Sequence, residues 1–172
     1  MPGLVPDGHI DQLIRQTRAH HVQLSVMADL KANMLLTIAS VVLSLTVPQL
    51  GKLAYRDAAI TLLIFCLLTI VLAASVAMPT APALFRRKRD TAAGTINLLF
   101  FGHFVDLDYP EYLTRMMDTL ADPERVYEAQ IREIYQLGQF LAKKKYRVLR
   151  LAYVTFIVGL IASGLVLFLS SP

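Results

Sequence analysis

The sequence predicts a mostly α-helical membrane protein with three transmembrane helices, two of them continuing as long cytosolic helices, and a small cytosolic helical cluster. Three observations predict it. Apolar residues make up 55% of the 172 residues, and the mean hydropathy is +0.51, both above the needs of one soluble domain. The excess sits in three blocks, "MLLTIASVVLSLTV" at 34–47, "AAITLLIFCLLTIVLAASVAM" at 58–78 and "LAYVTFIVGLIASGLVLFL" at 151–169. Finally, neither Pro nor Gly interrupts the chain between Gly8 and Pro48, so the first block continues a helix that begins in polar sequence.

The second and third blocks are free of charge over 21 and 19 residues. About 20 residues cross about 30 Å of hydrocarbon at about 1.5 Å per residue. The first block reaches a full span when extended to Leu50 and back toward Leu30. The reading is an N-terminal cytosolic helix over 1–33 and spans over 34–50, 58–78 and 151–169, with a cytosolic sensing region over 79–150. Residues 1–32 are polar, so no cleavable signal peptide is expected. "RRKR" at 86–89 follows the second span and "KKKYRVLR" at 143–150 leads into the third, whereas 48–57 carries only Lys52 and Arg56. Cationic flanks remain cytoplasmic. A multi-pass protein of the cell inner membrane with a cytoplasmic amino terminus is expected.

From residue 9 to 47 the polar positions Arg18, His21, Ser25, Asp29, Asn33, Thr37, Ser40 and Ser44 form a row at helical spacing. In "ADLKAN" at 28–33, Asp29 and Asn33 share a face, and Lys31 points roughly the other way. Asp29 therefore needs a cationic or hydrogen-bonding partner elsewhere, and Arg147 and Arg150 are the candidates at matching depth. Beyond the second span, Pro79 and Pro82 end the helix, and 91–108 reads as extended or as an irregular packed loop. "DYPEYLTRMMDTLA" predicts a short helix started at Asp108 or Tyr109 with Pro110. Asp122 and Pro123 start the last helix, with a Glu128–Arg132 pair and a bend at Gly138. It continues into the third span, so two rods of about 58 and 70 Å are expected to carry motion from cytosol to membrane.

The charges exclude several function classes. The net charge of +4 resides mostly in the membrane flanks, where anionic lipid accounts for it without nucleic acid. Cys66 has no partner cysteine. His9, His20, His21 and His103 lack metal-site spacing, and no nucleophile motif, phosphate loop or glycine fingerprint occurs. "GHFVDLD" holds Asp106 and Asp108, which fit a capped turn more simply than a metal hydrolase. No enzyme, cofactor or metal is expected. Arg86, Arg87 and Arg89 suit either an anionic lipid surface or a phosphate. Phe100, Phe101 and Tyr109 suit either core packing or stacking on a base. Gly159 with Ser163 and Ala73 with Ala77 suit either packing within one subunit or a contact between copies.

"ADLKAN", "NLLFFGHF" at 97–104 and "IYQLGQFLAKKKYRVLRLAY" before the third span together resemble the Pycsar transmembrane effectors of bacterial antiphage defence, over about 15–165. The resemblance implies partnership with a pyrimidine cyclase. It also implies binding of cyclic UMP or cyclic CMP, followed by damage to the inner membrane. The positions it carries over are Asp29, Lys31, Asn33, Asn97, Phe100, Phe101, Gly102, Lys145, Tyr146 and Arg147. With Arg86 from the basic run, the expected ligand-binding set is Asp29, Lys31, Asn97, Phe100, Phe101, Arg86 and Arg147. Gating by a small ligand favours a homo-oligomer, with the row from Thr37 to Ser44 lining a pore or lesion. The alternative function is a constitutive membrane scaffold or accessory subunit holding a cytosolic partner.

Overall fold

The computed structural model describes residues 8–78, 96–100, 104–105 and 107–170. Helix α1 spans Gly8–Thr46, α2 Arg56–Ala77, α3 Tyr109–Leu120, α4 Pro123–Phe140 and α5 Arg147–Ser170. Two 3₁₀ turns, Val47–Gly51 and Leu53–Tyr55, connect α1 to α2, and a π-helical turn, Leu141–Tyr146, joins α4 to α5. No strand occurs among the described residues. Among the described residues, three helical runs are long and apolar enough to cross a membrane: Gly8–Gly51, Leu53–Ala77 and Pro123–Ser170.

The ends follow local chemistry. Asp11 and Asp57 stand in the first turns of α1 and α2, where a carboxylate meets the positive end of the helix dipole. Helix α1 gives way to a 3₁₀ turn around Pro48, whose ring cannot continue an α-helical ladder. Met78, preceding Pro79, is extended, as the residue before a proline prefers. Asp108 precedes α3 in extended conformation without a side-chain cap. Asp122 does cap α4, its Oδ1 accepting the Glu124 N–H at 3.0 Å. Glu128 and Arg132 pair on the surface as their spacing predicts.

The chain divides into two compact units. The first comprises residues up to Gln23 and Pro79–Phe140. Here the Tyr127 hydroxyl donates to Asp11 Oδ1 at 2.9 Å, and Arg18 pairs with Glu133 at 3.1 Å. Phe104 and Tyr112 set their rings 5.3 Å apart, tilted at 49°. Gly138 lies under the His21 ring: a Cβ there would stand 3.3 Å from His21 Cε1. The irregularity in this helical run is the π turn that follows at 141–146.

The second unit comprises Leu24–Met78 and Leu141–Pro172. Its interior is narrow and built from small side chains: Ala28, Ala32, Leu35 and Ala39 of α1, Cys66, Thr69 and Ala73 of α2, and Leu149 and Ala152 of α5 are buried. Small residues let helix backbones approach closely, which is how apolar helices gain packing energy in lipid. Gly159 shows the effect most directly, since a Cβ on it would fall 2.3 Å from Phe65 Cβ. Four residues on, the Ser163 hydroxyl donates to the Ala58 carbonyl at 3.0 Å. The small residues Gly159, Ser163 and Ala73 thus pack within the subunit. The outward faces carry large apolar side chains such as Met34, Val41, Leu45, Val71, Ile161 and Phe168, an arrangement suited to hydrocarbon as solvent.

Candidate functional site

In the second unit, the site is built on one polar turn of α1 and the π turn. Ser25 and Asp29 are four residues apart, so they present side chains to one line along α1. Lys145 reaches that line from the π turn, its Nζ donating to Asp29 Oδ1 at 2.6 Å and Oδ2 at 2.7 Å. The same ammonium donates to Ser25 Oγ at 2.9 Å. Next in the turn, the Tyr146 hydroxyl donates to the Leu24 carbonyl at 3.1 Å, and Tyr153 of α5 reaches the Lys31 carbonyl at 3.3 Å. All three donors of the ammonium point at oxygen, which compensates its removal from water. A π turn admits one extra residue into the helix and recurs at functional positions.

This arrangement corrects one expectation. Asp29 takes Lys145 as its cation, and Arg147 and Arg150 remain exposed. At about 100° per residue, Arg147 and Arg150 stand on other faces than Lys145. The signal was present: Ser25 and Asp29 lie on the polar row, and "KKKY" supplies a lysine and a tyrosine side by side.

The other expected ligand residues fall into separate environments. Lys31 and Arg147 are exposed in the second unit and form no ion pair among the described residues. Asn97 and Phe100 are buried in the first unit. There the Asn97 carboxamide donates to Gln136 Oε1 at 2.9 Å and accepts the Leu99 N–H at 3.0 Å, holding the loop in an Asx-type turn. Arg86 and Phe101, with Arg87, Arg89 and Gly102, lie outside the described residues.

The first unit contains one group that the sequence did not single out, Glu133, and one that stood on the polar row, His21. Glu133 is buried, and this burial pushes its carboxyl above the ordinary carboxylate range, against the opposing pull of Arg18. His21 Nδ1 is buried without a hydrogen-bond partner among the described residues. No cluster of three or more His, Cys, Asp or Glu side chains that could hold a metal occurs among the described residues.

Comparison with known families decides the wider assignment. The Pycsar effector protein domain matches residues 12–170, nearly the whole chain. The chain belongs to this family. Its membership makes it an antiphage effector, and the three apolar helical runs make this Pycsar effector a membrane protein. The searches of curated proteins and of solved structures gave no match. Within the Pycsar domain lie both the Asp29–Ser25–Lys145 cluster and the Asn97 turn.

Proposed function

We propose that this Pycsar effector binds a cyclic pyrimidine mononucleotide, cyclic UMP or cyclic CMP, through its cytosolic region and then impairs the inner membrane. The observation that carries the reading is the family match over 12–170 in a chain with three apolar helices. The amino terminus and residues 79–150 are cytoplasmic in this reading, consistent with the lysines and arginines at 86–89 and 143–150. A pyrimidine nucleotide cyclase supplies the ligand.

The chemistry of a cyclic nucleotide calls for a cation near its single phosphate charge and an apolar surface for its base. Lys31 and Arg147 are exposed cations without a carboxylate partner among the described residues. Asn97 and Phe100, also in the expected ligand set, are buried in the first unit, where Asn97 accepts the Leu99 N–H. Converting a closed population from 1:99 to 99:1 takes about 5.5 kcal/mol of differential binding. Several copies acting together reach that figure more readily than one, so the effector works as a homo-oligomer.

The test is a calorimetric titration of the purified full chain with cyclic UMP, cyclic CMP and linear UMP, alongside a potential-sensitive dye in cells. Cyclic nucleotides alone should bind and depolarise. Equal binding of cyclic and linear nucleotide, or depolarisation without either, overturns the reading.

A further inference from the structure

Helix α1 has three faces over its apolar half, and only two of them have an evident environment. Ala28, Ala32, Leu35, Ala39 and Thr46 are buried and define its inward face. Met34, Ile38, Val41 and Leu45 form an exposed apolar face suited to lipid. The third face carries Asn33, Thr37, Ser40 and Ser44, about 140° from the inward face at about 100° per residue. Asn33, Thr37 and Ser44 are exposed and Ser40 is half-buried. The polar row therefore points away from the helices of its own unit, and Thr37, Ser40 and Ser44, within the 34–50 span, face a medium that offers no hydrogen bonds, with Asn33 at its boundary.

Part of that polarity is satisfied within the helix, since Thr37 donates to the Asn33 carbonyl at 3.0 Å and Ser44 to the Ser40 carbonyl at 2.9 Å. The Asn33 carboxamide and the Ser40 hydroxyl make no hydrogen bond among the described residues. Along this face runs an open groove of about 400 Å³, lined by Leu36, Thr37, Ser40, Val41, Ser44 and Leu45, in which Val41 and Leu45 form the edge shared with the lipid face. The spacing of Ser40 and Ser44 permits close approach of a second helix. Gly159, Ser163 and Ala73 are already engaged within the subunit.

We infer that this face of α1 is a seam between two copies of the chain, α1 against α1. Copies inserted in one membrane share one orientation, so their α1 helices run parallel. A two-fold axis along the membrane normal then sets Asn33 opposite Asn33, Ser40 opposite Ser40 and Ser44 opposite Ser44. A carboxamide is both donor and acceptor, and a hydroxyl likewise, so each is complementary to its own copy. A carboxylate or ammonium row would repel itself in the same geometry. The inference rests on the self-association in the reading above and names the surface that performs it. Parting the seam exposes the hydroxyls to water, which connects it to membrane failure.

Single cysteines at Ser40→Cys, Ser44→Cys and, on the lipid face, Ile38→Cys test it in native membranes under mild oxidation. Cys66 is buried, so the unmodified chain serves as the blank. Covalent dimer at positions 40 and 44 but not 38 is expected. Asn33→Leu should at least halve the dimer yield of Ser44→Cys, and Asn33→Gln should preserve it. Equal cross-linking at Ile38→Cys overturns the seam, as does labelling of resting Ser40→Cys by a membrane-impermeant maleimide without dimer. Nucleotide titration of the same preparations separates the two ideas. Cross-linking without nucleotide binding sinks the proposed function alone, and nucleotide-triggered depolarisation without cross-linking sinks the seam alone.

Discussion

Lys145 holds Asp29 by both carboxylate oxygens, at 2.6 and 2.7 Å, from a π-helical turn more than a hundred residues away in sequence. The lysine side chain is 16% exposed and the aspartate 38%, so the pair is partly removed from water. Removing one partner leaves the other charge at a membrane boundary without its counter-ion, Lys145 keeping its bond to Ser25. For a fully buried pair the loss is about 3–5 kcal/mol, and partial exposure brings it to about 2 kcal/mol. Asp29→Asn and Lys145→Gln should each lower the stability of the full chain in detergent by about that amount, and the double variant should recover most of it. Additive losses in the double-mutant cycle would mean the two side chains act independently.

Glu133 makes the first unit sensitive to pH. Burial raises its folded pKa above the unfolded value of about 4.3. A folded state that holds the proton more tightly is favoured below the unfolded pKa, and the gain is lost as pH rises through the raised folded value. Glu133→Gln should therefore melt higher than the parent chain at pH 8, with the gap closing toward pH 4. A variant that melts lower than the parent at pH 8 would show that the Arg18 pair outweighs burial.

Gly159 and Phe65 make a prediction with an unusual control. Gly159→Ala places a methyl where Phe65 Cβ already stands, at 2.3 Å, so α2 and α5 must separate. The expected cost is about 1–3 kcal/mol. Phe65 Cγ also stands too close, at 2.8 Å, but the nearer Cβ remains in Phe65→Ala, so that change should relieve only part of the loss and not restore the parent stability. Recovery of the parent melting temperature in Phe65→Ala/Gly159→Ala would place the obstruction in the ring instead.

Asn97 and the exposed cations should separate in their effects. Asn97→Ala strands the Gln136 carbonyl and the Leu99 N–H, at a cost of about 1–3 kcal/mol. Lys31→Ala and Arg147→Ala remove exposed side chains and should change stability by less than about 0.5 kcal/mol, while weakening the cyclic-nucleotide response. Melting curves and nucleotide titrations on the three variants decide it. Loss of stability in Lys31→Ala equal to that in Asn97→Ala would give the lysine a structural role.

The helices were largely legible because their determinants are local. The uninterrupted stretch after Gly8 forms α1 to Thr46, Pro48 and Pro79 terminate at the expected places, and the Asp122 cap is formed. The candidate site was legible only in part. The row containing Ser25 and Asp29 follows from spacing of 3.6 residues per turn. Its partner depends on how the helical run from 123 to 170 is wound at 141–146, and an inserted π residue has no composition signal. Glycine at 138 has a reason that spacing along its own helix does not show: the His21 ring lies over it, where a side chain would crowd.

The sequence by itself determined that three apolar runs are helices, since a backbone in hydrocarbon must satisfy its own hydrogen bonds within each segment. It also carried the Pycsar signature and the polar row of α1. Tertiary structure alone decided that Lys145 answers Asp29 and that Gly159 and Ser163 pack inside one subunit, which leaves Asn33, Ser40 and Ser44 facing outward. The reason is that spacing along one helix sets which residues share a face, while the choice of neighbour for that face depends on close packing of side chains from distant parts of the chain.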